Sequence, residues 1–101
     1  MSDHLVFLVG DQAPRLRRRD AAQLARELER LTVIDGQPLT GANAAAAVIR
    51  AALEQQKDVV ELEERELRAV YVVVDRLDVP LPEDLRQLRA ALASALEIPS
   101  T

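Results

Sequence analysis

The chain has 101 residues, 49% of them hydrophobic and 30% charged, a balance that fits one small domain with an aliphatic core. Its formal charge of −4 is uneven: residues 1–50 carry seven arginines against six acids, and residues 51–101 carry six bases against eleven acids. The lack of cysteine excludes disulfides, thiol catalysis and cysteine-held metal centres within the chain, and Phe7 and Tyr71, its only aromatics, leave little for stacking on exposed bases.

The opening "MSDHLVFLVGDQ" has no basic n-region and only a short apolar run, so it does not read as a secretory signal. No apolar stretch approaches the ~18 residues of a membrane span. A cytoplasmic protein with no membrane partner is the expectation. Within that opening, "HLVFLV" at 4–9 predicts a strand, and "GDQAP" at 10–14 is rich in turn formers. "RLR" at 15–17 can return as a second strand.

A helix follows, with Ala21, Leu24, Ala25, Leu28 and Leu31 at helical spacing. "DGQPLTG" at 35–41 reads as a linker or tight loop. "ANAAAAVIRAALEQQ" at 42–56 predicts a helix with Ala45, Val48, Ile49, Ala52 and Leu53 on its apolar side. "DVVEL" at 58–62 predicts a third strand. The following "VYVVV" at 70–74 favours a strand by propensity, but Leu67, Val70, Tyr71, Val74 and Leu77 keep helical spacing, so a buried helix is expected. The last helix has a clear start, with Pro82 in its first turn and Glu83 and Asp84 at its positive end. Leu85, Leu88, Leu92 and Leu96 then recur, and the helix is expected to end near Ile98 and Pro99.

Two of these segments align without a gap: "LRRRDAAQLARELERL" at 16–31 over "LEERELRAVYVVVDRL" at 62–77. The alignment sets Asp20 on Glu66, Leu24 on Val70, Leu28 on Val74 and Arg30 on Arg76. It suggests an internal strand–helix duplication, with units centred on 15–31 and 58–78 of a single domain spanning 1–101. The expected class is α+β, with about four helices packed against a small antiparallel sheet of two or three strands.

Arg15, Arg17, Arg18 and Arg19 form the most distinctive cluster, continued along the helix by Arg26 and Arg30. Directional guanidinium hydrogen bonds suit phosphate, so a nucleic-acid-binding regulator using the Arg15–Arg19 patch is one reading. The acidic whole favours another, in which the arginines organise charge within the domain or across a homodimer. Pairing of residues 15–17 with 59–61 would set a basic strand against an acidic one, with Glu61, Glu63, Glu64 and Glu66 nearby. Arginines just before a helix are also disfavoured by the helix dipole, which adds to the demand for acidic partners.

Catalytic signals are weak. His4 is the only histidine and lies at a strand start, while Asp11 and Asp35 sit in turns where aspartate ordinarily stabilises the backbone. The glutamates at 61–66 lack calcium-loop spacing, and neither glycine-bearing turn has a phosphate-loop pattern. Tyr71 reads as a core or interface residue first. No cofactor and no metal are called for, and a small enzyme is the least favoured reading. The leading expectation is a non-enzymatic interaction or assembly module, a homodimer or a partner of another protein. Its candidate surfaces are Arg17, Arg18 and Arg26 with Glu63, Glu64 and Glu66, and secondly the alanine face at Ala45, Val48, Ile49 and Ala52.

Overall fold

The computed structural model describes residues 3–77 and 80–97. Its first strand, β1 (His4–Leu8), alternates in burial although residues 5–9 are all apolar. Leu5, Phe7 and the following Val9 turn into the core, while His4 and Leu8 are exposed and Val6 is half-buried. A tight turn at residues 10 and 11, closed by Val9 and Gln12 exchanging backbone hydrogen bonds of 2.9 Å, reverses the chain. β2 (Arg15–Arg17) then runs antiparallel to β1, with Leu16 opposite Leu5 and Arg17 opposite His4.

β2 passes directly into α1 (Arg18–Arg30), whose Ala21, Leu24, Ala25 and Leu28 are buried as their spacing predicts. A short hairpin of β3 (Val33–Ile34) and β4 (Gln37–Pro38) follows, and then α2 (Ala42–Glu54). The chain returns as β5 (Val59–Glu61), parallel to β1 on the side away from β2, with Val60 opposite Phe7. The strand order is therefore β2-β1-β5, and the sheet is mixed. A parallel neighbour needs a long crossover, which the run from α1 through α2 supplies. The expected pairing of residues 15–17 with 59–61 does not form, because β1 lies between those two strands.

The valine-rich segment is helical, as α3 (Glu64–Asp75). Val70, Val73 and Val74 are buried together with Ala69, and that burial outweighs the modest helix propensity of valine. The carboxylate of Glu66 accepts the N–H of Glu63 at 2.8 Å, the returning arm of a capping box that fixes the first turn. α4 (Glu83–Ala95) starts one residue later than expected: Pro82 is its N-cap, and Glu83 and Asp84 open the first turn. Leu85, Leu88, Ala91 and Leu92 are its buried side, and the anticipated end near Ile98 and Pro99 lies outside the described residues.

Buried side chains from the sheet and all four helices form one continuous core. α1 packs most extensively on α2, where Ala42, Ala45 and Ala46 permit close approach, and Arg50 donates to Glu29 at 2.8 Å along the rim. That contact holds the Glu29 carboxyl below its ordinary range. Helices cover only the sheet face that carries Leu5, Phe7, Leu16 and Val60. None of the helices among the described residues is long and apolar enough to cross a membrane.

Candidate functional site

The arginine cluster splits at the junction of β2 and α1. Alternation in β2 buries Leu16 and sends Arg15 and Arg17 outward, while Arg18 and Arg19 occupy the first two positions of α1. Arg18 is half-buried and reaches the start of β5, donating to the Lys57 carbonyl at 2.8 Å and pairing with Asp58 at 3.4 Å. Arg15, Arg17 and Arg19 are exposed and, with His4, form the basic wall of a cleft of about 430 Å³. Asp20, Glu83 and Asp84 line the same cleft.

The acidic partner of the junction is therefore the start of α4. The N–H of Arg17, on the free edge of β2, donates to Asp84 Oδ2 at 3.0 Å, and the N–H of Leu85 donates to Asp84 Oδ1 at 2.9 Å. One carboxylate thereby takes up a first-turn N–H of its own helix and closes a sheet edge.

Asp84 is also hydrogen-bonded to Asp20, the third residue of α1, which is only 8% exposed. Two carboxylates cannot share a hydrogen bond without a proton between them. That bond, then burial and the charge of Asp84, raise the Asp20 carboxyl above its ordinary value of 3.8, against the lowering effect of Arg19 and Arg17. For Asp84, desolvation pushes upward, but the hydrogen bonds from Asp20 and from the N–H groups of Arg17, Leu85 and Asp84 itself together carry it below the ordinary value.

With one titration raised and the other lowered, the pair holds a single proton over a wider pH range than two independent aspartates would. Above the ordinary aspartate value the folded chain binds more protons at Asp20 than the unfolded chain does, so the pair's contribution declines as pH rises through the raised titration of Asp20. Below the ordinary value the unfolded chain binds more at Asp84, and the contribution declines again as pH falls through the lowered titration. Asp84→Asn removes the second acid. We expect the Asp20 titration, followed by carboxyl NMR, to move down in this variant as the shared hydrogen bond and the charge of Asp84 are lost. An Asp20 titration unmoved by the substitution would refute the shared proton.

Among the described residues, no helix covers the other face of the sheet. Its register forms three rows: His4 beside Arg17, then Arg15, Val6 and Val59, then Leu8 beside Glu61. Leu8 at 41% and Val59 at 46% are two of the three exposed large hydrophobic residues among those described. Arg17 and Glu61 stand at diagonally opposite corners, with Val6 between them.

The remaining sequence candidates are dispersed. Arg26 is exposed on α1, while Glu63 pairs with Arg65 and Glu64 with Arg68, each at 3.4 Å. Glu66 is buried within its own capping interaction. Asp20 and Glu66, matched in the internal alignment, are the two buried charged residues among those described, and each is the third residue of its helix. The alanine face is taken up by the chain's own core: Ala45, Ile49 and Ala52 are buried and Val48 is half-buried, so it offers no open second surface. Asp11 is exposed in its turn, and Asp35 pairs with Arg76 at 3.2 Å. Tyr71 packs half-buried against the core. Among the described residues, no group of three or more acids or histidines is placed to hold a metal ion.

Two features of this region were missed by local reading of the sequence. Asp84 carries a helix-start signal that hides its link to β2, and the near-continuous apolar run at 5–9 conceals that Val6 and Leu8 point away from the core. The alternation anchored by His4 is the signal that identifies the open face. Compared with known proteins, the chain matches no family model, no curated protein and no solved structure.

Proposed function

We propose that the protein is a non-enzymatic interaction module that assembles with itself. The observation that carries this reading is the uncovered sheet face, where Val6, Leu8 and Val59 form an apolar centre between a basic and an acidic corner. Small domains bury a modest fraction of their surface, and a contiguous apolar patch on one of them gains by association. A cytoplasmic setting suits a cysteine-free chain, which has no use for an oxidising compartment.

A nucleic-acid reading draws on Arg15, Arg17 and Arg19, exposed together at one end of the fold. Asp20, Glu83 and Asp84 weaken it, because their charge lies on the same cleft and opposes a phosphate backbone. Self-association is tested by sedimentation equilibrium from micromolar to millimolar protein. The mass is expected to rise from the 11.2 kDa monomer towards twice that value. A monomer throughout the range would overturn the reading.

A further inference from the structure

We propose that the open face of the β2-β1-β5 sheet is the dimer interface, docked on the same face of a second copy so that Arg17 of each chain meets Glu61 of the other. This inference rests on the self-association reading and adds its surface, geometry and charge pairing.

The argument begins with the register. Arg17 lies one row beyond Val6 on β2, and Glu61 lies one row beyond it in the opposite direction on β5. A two-fold axis through Val6, in the plane of the interface, carries either corner onto the other. Applied to two copies, it stacks Arg17 on Glu61 twice and Val6 on Val6, and it lays Leu8 of each chain over the Arg15 stem of the other and Val59 beside the other's His4. Such a contact is isologous and closes at two chains. It also makes the two sets of strands cross steeply, within the range of orthogonal sheet packing.

The alternatives fit the same face less well. Superposing the arginine corners would set like charges together, and a polyanion would meet Glu61 while leaving Leu8 and Val59 in water. A second copy pairs both corners and covers Leu8 and Val59 with its Arg15 and His4. With strands ~4.8 Å apart and a rise of ~3.3 Å per residue, the face measures only about 15 Å across. An interface that small belongs at the weak end of specific contacts, so association is expected at high micromolar concentration.

The test uses sedimentation equilibrium on the full chain at low and high salt, with thermal melts confirming that each variant is folded. Arg17→Glu and Glu61→Arg are each expected to weaken association about tenfold, as two attractive pairs become repulsive. The double variant restores the swapped pairs and should return to within about threefold of the parent. Val59→Lys, a change at an exposed position away from the acid pair, should abolish association and serves if Arg17→Glu disturbs the β2–α4 contact.

Loss in the single variants with recovery in the double supports the proposal. Loss without recovery overturns the Arg17–Glu61 pairing. If the parent associates and every variant associates equally, this interface is wrong while self-association stands. If the parent remains monomeric, both fall, and the face is left to a different protein.

Discussion

Gly41→Ala is expected to lose roughly 2–5 kcal/mol of folding stability, a large part of the marginal total of a domain this size. Gly41 is the N-cap of α2 and holds φ 90, ψ −10, where an L side chain is strained. A Cβ at this position would also lie 2.8 Å from the carbonyl oxygen of Arg65, 3.0 Å from its carbon and 3.3 Å from the nitrogen of Glu66. Those atoms belong to the first turn of α3, where the Glu66 carboxylate already holds the N–H of Glu63. They cannot swing aside as a flexible side chain can, so α2 and α3 must separate.

Gly36→Ala supplies the comparison. Gly36 has φ 80 in the β3–β4 turn, and a Cβ there meets nothing within 4 Å. It should lose only about 1 kcal/mol for the backbone conformation. Urea denaturation of both variants separates strain from collision. Equal losses at the two positions would show that α2 does not rest against the α3 backbone.

The helices were legible because their signals are local. Leu24, Leu28, Leu88 and Leu92 recur at the helical period, and even the valines of α3 follow it, so periodicity prevailed over propensity. The β3–β4 hairpin carries an equally local signal, inside the stretch whose composition predicts a linker or tight loop. Asp35 and Gly36 both have positive φ, the requirement of a type I′ turn that favours Asp-Gly.

Strand order was not legible, because three-residue strands contain too little pattern to choose among partners, and β1 is apolar enough to pair on either side. The arginine cluster shows the same limit. Its nearest acids in composition are the glutamates at 61–66, yet β1 separates β2 from β5, and the chain brings Asp84 to Arg17 across 67 positions of sequence. Charge asymmetry suggested that the arginines need acidic partners; only the topology assigns them.

Phe7→Ala is the second large effect, expected to lose about 3–5 kcal/mol. Phe7 is 1% exposed on the central strand, opposite Val60, and its N–H donates to the Pro14 carbonyl at 2.9 Å. The substitution keeps that backbone bond, so the loss comes from the ring and the cavity it leaves. Much of the surrounding core is alanine and valine, whose short side chains have little freedom to move into the space. Phe7→Leu retains much of the volume and should lose about 1 kcal/mol. Equal losses for the two variants would mean that the core collapses around the missing ring.

Phe7 also separates the two faces of β1. Its side chain points inward, whereas Val59 on the neighbouring strand points to the open side. Phe7→Ala should therefore lower the urea midpoint while the molecules that remain folded still associate, and Val59→Lys should abolish association with the midpoint little changed. If Phe7→Ala abolished association in fully folded protein, the outward face would depend on the core more closely than a sheet with one covered and one open side allows.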